Sequence, residues 1–200
     1  MHQSSRRSSD VLSEMVHHDF KTGMTYQGLL DKLGERAFGI ALLLFALPSA
    51  LPFSAVPGIS FIFSLPIAIF ACQMILARNT LWLPKFVARK QVPCDRLGKV
   101  IEKALPYLKK VEHLSKPRWA FMSIRAMDII TGLLILLLSI LLMLPIPLSN
   151  FIISSLIIVF SLGFIEKDGV FIAIGYVSTL TYLLLMYWLF WASIRAIVGL

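Results

Sequence analysis

Five long apolar runs constrain this chain more than any other feature. They cover residues 37–53, 56–77, 126–144, 151–165 and 170–194. The first would be about 25 Å long as a helix. A water-soluble fold of 200 residues cannot hide so much apolar surface, because too much of a small protein is surface. Composition agrees: 58% of residues are hydrophobic and 15% charged, and mean hydropathy is +0.80. Soluble domains carry about 45–50% apolar and about 25% charged residues. A bilayer acts as solvent for the excess, so an all-α, polytopic integral membrane protein is expected.

The net charge of +8 raises the question of nucleic acid, which its distribution answers. Of 19 Lys and Arg residues, five precede Ala37 and twelve lie from Arg78 to Arg125, leaving only Lys167 and Arg195 elsewhere. Basic residues in short segments beside apolar spans mark the cytoplasmic face of a membrane. The expected partner is therefore the lipid bilayer and no nucleic acid, with the N-terminus and the 78–125 loop cytoplasmic.

Residues 1–20 form a polar, Ser-rich tail with no apolar core of a signal peptide. Residues 21–200 form a single membrane domain: a first half 21–77, a linker 78–125 and a second half 126–200. Leu29, Leu30 and Leu33 alternate with Asp31, Lys32 and Glu35 as in a short surface helix. In the linker, Leu97, Ile101, Leu105, Leu108 and Val111 recur at helical spacing between lysines, which predicts an amphipathic helix broken at Pro106. Tyr182, Tyr187, Trp188 and Trp191 decorate the last run like an interfacial aromatic belt.

The two halves resemble each other. Leu51-Pro52 precedes Phe61, Ile62, Ser64, Ile67, Phe70 and Ile75, and a polar break follows at Arg78-Asn79. Leu144-Pro145 likewise precedes Phe151, Ile152, Ser154, Ile157, Phe160 and Ile165, with a polar break at Asp168-Gly169. Matched positions lie 93 residues apart before the turn and 90 after it. Two weakly repeated helical hairpins, joined by the basic amphipathic segment and followed by a C-terminal membrane helix, are expected.

A helix needs about 20 residues to cross a core about 30 Å thick. Residues 151–165 fall short, and Pro66 sits inside 56–77. Each half is either an ordinary spanning hairpin corrected by tilt, or a re-entrant or broken pair whose ends meet inside the membrane. Paired, Pro-interrupted segments in two halves are a pointer to transporter sites, and Asn150, Ser154 and Ser155 would satisfy irregular backbone beside Pro145 and Pro147.

Familiar chemistry is not spelled out. His2, His17, His18 and His113 have no Cys or carboxylate at ligand spacing, so no metal or other cofactor is expected. Serines 49, 54, 149, 154 and 155 lack a nearby base in sequence, and no phosphate-cradling glycine loop is present. Cys72 and Cys94 read as ordinary reduced thiols. Asp128 is three residues from Arg125 and reads as half of a boundary salt bridge. Asp168, at a membrane boundary, is either a functional acid or part of a polar turn in which Gly169 supplies backbone freedom.

A family resemblance adds to this. Leu47-Pro48, Leu51-Pro52, Pro57-Gly58, Leu65-Pro66, Gln73 and Trp82-Leu83-Pro84-Lys85 look like the first half of the ExoD family of exopolysaccharide-synthesis membrane proteins. Leu144-Pro145-Ile146-Pro147, Asn150, Gly163 and Asp168-Gly169 resemble its other motif, and the likeness runs from about Leu29 to Leu185. Ile153-Ser154-Ser155 departs from it where a Pro-Ala pair is expected. The resemblance implies a bacterial inner-membrane protein tied to exopolysaccharide production and supplies no catalytic residues. The expected function is a non-enzymatic accessory role in synthesis or export, alongside exopolysaccharide-assembly proteins and with self-association open. The alternative is a small transporter or channel for ions or a lipid-linked precursor. Candidate functional positions are Pro52, Pro66, Arg78, Pro145, Pro147, Asn150, Ser154, Asp168 and Gly169.

Overall fold

The computed structural model describes residues 25–50, 59–78, 80–84, 88–90, 125–144 and 149–198. The amphipathic segment 97–111, the N-terminal tail and Pro52, Pro145 and Pro147 lie outside them. The described residues form six helices and no sheet: α1 Tyr26–Leu33, α2 Arg36–Ser49, α3 Ile59–Ile75, α4 Arg125–Met143, α5 Ser149–Glu166 and α6 Gly169–Val198. Three of them, α4, α5 and α6, are long and apolar enough to cross a membrane.

Local chemistry sets the ends. Thr25 caps α1, its Oγ1 accepting from the Gly28 amide at 3.3 Å. Gly34 closes α1 at φ +56°, a conformation that suits glycine. The α3 and α5 termini are built alike. Ala77 (φ 50°) and Lys167 (φ 52°) take the left-handed conformation, and the Arg78 and Asp168 amides reach back to the Gln73 and Gly163 carbonyls at 3.3 and 3.1 Å. These are paired six-to-one helix closures. The positive φ expected at Gly169 falls instead on Lys167, because the closure needs it one residue after the helix ends; Gly169 begins α6.

Two segments for which the sequence left both an ordinary and a broken helix open are continuous. Pro66 does not break its segment: α3 runs through it from Ile59 to Ile75, packed against α2 and α4. Residues 151–165 do not make a short helix, since Ser149, Asn150 and Glu166 extend α5 to 18 residues. Ser149 and Asn150 are buried there, and Glu166 is half-buried.

Packing follows the repeat. The broadest interfaces are α3 on α4 and α2 on α5, each joining opposite halves. Glycine makes both possible. A Cβ on Gly39 would lie 2.7 Å from the Ser161 carbonyl oxygen and 2.9 Å from the Ile165 amide nitrogen. A Cβ on Gly132 would lie 3.1 Å from the Ile75 amide nitrogen. Small residues let membrane helices approach closely enough to pack where no hydrophobic effect drives them together. The start of α2 thus meets the end of α5, and the start of α4 meets the end of α3, so both pairs run antiparallel. Gly39 and Gly132 are repeat equivalents, and so are Ile165 and Ile75. The halves are therefore related by a pseudo-twofold along the bundle. Burial repeats with it: Ser64 and Ser154 are fully buried, as are Ile67 and Ile157, while Phe61 and Phe151 face outward.

The long helix α6 leans on α5 alone to any extent. Gly175 receives the Phe160 ring, which also meets Tyr176 edge-on with centroids 5.6 Å apart. Leu183 and Met186 still pack against the core, and beyond them the helix leaves the bundle, with Tyr187, Trp188 and Trp191 exposed.

Candidate functional site

The buried polar side chains gather at two levels of the bundle. At the uncharged end, where α3 and α5 begin, Asn150 Nδ2 donates to Ser60 Oγ at 2.8 Å. Both residues are buried, and they stand one repeat interval apart on the two halves. Beside them the Ser149 hydroxyl is hydrogen-bonded to the Tyr182 hydroxyl of α6. Ser154, one turn along α5 from Asn150, is fully buried. The Asn150 Oδ1, Ser49 Oγ, Ser154 Oγ and Thr179 Oγ1 atoms are buried and have no hydrogen-bond partner. Unpaired oxygens of this kind are costly in a low-dielectric layer. Every one of them belongs to a neutral side chain.

The opposite level carries the charges. Lys167 Nζ bonds Glu35 Oε2 at 2.8 Å, and Asp128 faces both electrostatically. Asp128 feels the like charge of Glu35 and the opposite charge of Lys167; the side chain of Arg125, its expected partner, lies outside the described residues. Asp168 caps α6, its Oδ1 accepting from the Val170 amide at 2.9 Å, and is 2% exposed. The polar-turn reading of Asp168 is the one this geometry supports. Nearby, Tyr176 and Thr131 hydroxyls share a hydrogen bond of 2.6 Å, and each also reaches the Met127 carbonyl. Gln73 holds the segment after α3: its Oε1 accepts from the Trp82 amide at 2.7 Å and its Nε2 donates to the Trp82 carbonyl at 3.2 Å. A surface cavity of about 360 Å³ opens there between Thr25, Gln27, Trp82 and Arg89.

The candidate positions thus divide. Asn150 and Ser154 come together at the uncharged end, Arg78, Asp168 and Gly169 at the charged end, and Pro66 stands in α3 between them. Tyr182, grouped by sequence with the aromatic belt, is buried at 5% exposure and belongs to the polar level. Sequence reasoning missed Ser60, Thr179 and Gly39; it met Ser49 only as a serine without a nearby base and Gln73 only as a motif residue, not as a clamp. The 90-residue interval, extended by one residue from Phe61 and Phe151, would have paired Ser60 with Asn150. No comparable signal marks Thr179, whose burial depends on how α6 leans. Among the described residues, no group of three or more His, Cys, Asp or Glu side chains could hold a metal ion.

Known proteins share this arrangement of sequence. The profile of the family described as "Exopolysaccharide synthesis, ExoD" matches residues 8–188. The chain is 32% identical to Protein ExoD of Rhizobium meliloti over 177 residues, covering 86% of this chain and 73% of that one. It is 33% identical over 142 residues to an uncharacterized protein of Synechocystis, covering 70% of this chain and 66% of that one. No solved structure matches it.

Proposed function

The chain belongs to the ExoD family of exopolysaccharide-synthesis proteins, and from that premise we propose that it serves in the bacterial inner membrane as a non-enzymatic accessory component of exopolysaccharide synthesis or export. The observation that carries this reading is the Asn150–Ser60 bond. Two buried polar side chains at equivalent positions of the two halves are joined by one hydrogen bond, fastening one repeat to the next as a scaffold does. The basic residues around 78–125 support a cytoplasmic linker, and assembly proteins of the same pathway are the partners this role calls for. Deleting the gene should change the amount or chain length of secreted polysaccharide, and the intact gene should restore it. Unchanged polymer under producing conditions would overturn the reading.

A second reading, a small transporter or channel for ions or a lipid-linked precursor, is favoured by one specific observation. The Asn150 Oδ1, Ser49, Ser154 and Thr179 oxygens are buried among apolar helices without partners, as groups awaiting a polar ligand would be. Purified protein in liposomes that moves no ion and no lipid-linked sugar removes this reading.

A further inference from the structure

The seam between α2 and α5 is polar at a place where its counterpart between α3 and α4 is apolar. Ser161 and Ile165 of α5 meet Gly39 of α2. The stripe of α5 that faces α2 therefore includes Ser154, two turns before Ser161, and Asn150, one turn before that. From Gly39 to Ser49 is ten residues, about 15 Å of helix. Ten residues back along the antiparallel α5, from Ser161 and Ile165, lie residues 151–155, so Ser49 is level with Ser154. Phe45 of α2 meets Phe70 of α3, ring centroids 5.7 Å apart, and Ser49 follows Phe45 by one turn. Ser49 thus faces inward, toward the place where Asn150 is bonded to Ser60. The Ser49 and Ser154 hydroxyls and Asn150 Oδ1 are buried and have no hydrogen-bond partner. Thr179 stands apart from them. Gly163 and Phe160 of α5 meet Ile172 and Gly175 of α6, which puts the α6 seam on another side of α5.

Other buried hydroxyls of these helices satisfy themselves locally. Ser161, on the same stripe, donates to the Ile157 carbonyl at 2.7 Å, and Ser139 to the Leu136 carbonyl at 2.7 Å. Ser64, the repeat equivalent of Ser154, donates to the Phe61 carbonyl at 3.0 Å. The repeat interval pairs Ser49 with Leu142, which is fully buried. The α3–α4 seam is thus filled by a leucine, and its serine is turned onto its own helix. The α2–α5 seam has a smaller, polar side chain at the same place and two hydroxyls that make no such bond. Room of that kind suits a small polar ligand, and charge of either sign is unsuited to it. Residues 37–77, 129–165 and 169–194 hold no Asp, Glu, Lys or Arg, and an ion buried without a counter-charge is costly. The end of α2 and the start of α5 bring opposite dipole ends to the spot, so they offset each other. We propose that this seam holds one internal water molecule, bound by Ser49, Asn150 and Ser154. The water donates to Asn150 Oδ1 and to one serine oxygen, and accepts from the other serine hydroxyl. Two to four such partners are what a buried water needs. It joins α2 to α5 as the Asn150–Ser60 bond joins α5 to α3.

The test is oxidative footprinting of the purified protein in micelles, in which an X-ray pulse turns water into hydroxyl radicals that mark the side chains beside it. Ile157 lies one turn from Ser154 along α5, and its repeat equivalent Ile67 is buried to the same extent, both at 0% exposure. Mass spectrometry should find Ile157 marked several-fold faster than Ile67. Ser49→Leu copies the other half and should displace the water, which lowers the Ile157 rate to that of Ile67. If that variant does not fold, Ser49→Ala combined with Ser154→Ala takes its place. An apolar cavity stays dry, so this pair should lose the same mark. Equal rates at Ile157 and Ile67 in the unaltered protein, or a mark on Ile157 that persists in the variants, overturns the proposal. The measurement needs neither polymer nor transport, so its outcome is separate from both readings of function.

Discussion

Asn150 and Ser60 are the same residue position in two copies of one hairpin, and they are hydrogen-bonded to each other at 2.8 Å. A residue can touch its own repeat equivalent only where the symmetry axis passes. The bond therefore marks the pseudo-twofold and ties the halves at the end where glycine contacts do not.

Removing either partner should expose the worth of that bond. Interhelical hydrogen bonds in membranes average about 0.6 kcal/mol and reach about 1.7. Asn150→Ala and Ser60→Ala should each destabilise the protein within that range. The double variant should cost less than the two losses added, since both remove one shared bond. Unfolding in mixed detergent micelles measures the cycle, and strict additivity would show that the contact is not formed.

The two glycines make a graded prediction. Gly39→Ala drives a methyl to 2.7 Å from a backbone oxygen that cannot swing away, whereas Gly132→Ala meets its nearest atoms at 3.1 Å. Overpacking costs typically about 1–3 kcal/mol, and Gly39→Ala should fall at the upper end and exceed Gly132→Ala. Thermal unfolding of the purified variants ranks them; the reverse order would contradict the close approach of α2 to α5.

Ala77 and Lys167 hold left-handed conformations that cost an L-residue roughly 1–2 kcal/mol. Ala77→Gly should therefore be neutral or stabilising by up to about 1 kcal/mol, after the added flexibility of the unfolded chain is deducted. The same exchange inside a helix, at Ala71, should cost about 1 kcal/mol. Lys167→Gly also loses the bond to Glu35, but both side chains are more than a third exposed, and such pairs contribute at most about 1 kcal/mol. Melting temperatures of the three variants separate these effects.

Gln73 clamps both backbone groups of Trp82. Gln73→Ala should speed amide exchange at Trp82 by about tenfold or more, as for loss of roughly 1.4 kcal/mol of local protection. Gln73→Glu keeps the acceptor of the 2.7 Å bond and should fall between. Hydrogen exchange read by mass spectrometry on peptides covering residues 80–84 decides it; equal rates in all three proteins would mean that Trp82 is held by something else.

Much of the fold was legible because its causes are local or periodic. The apolar runs gave the helices, and matched residues such as Ile67 and Ile157 share a burial because the same pattern folds twice. What stayed open was also local: Pro66 allowed either a broken or a continuous helix, and α3 continues through it, packed against α2 and α4. Tyr182 looked like its neighbours Tyr187 and Trp188, and only the lean of α6 on α5 turned it inward. The candidate site was half visible. Asn150 and Ser154 were named as polar residues of a short segment beside Pro145 and Pro147, while Ser60 lay one residue beyond the matched positions and Thr179 carried no mark.

By itself the sequence determined that this chain lives in a bilayer, that it is helical and that it is built of two related hairpins. These follow from composition, period and charge, which act residue by residue whatever the chain packs against. Only the tertiary structure decided that the halves meet antiparallel through Gly39 and Gly132, that Asn150 finds Ser60, and that Ser149 stands level with the middle of α6. Those facts depend on how closely two helices approach, and that distance is set jointly by side chains far apart in the chain.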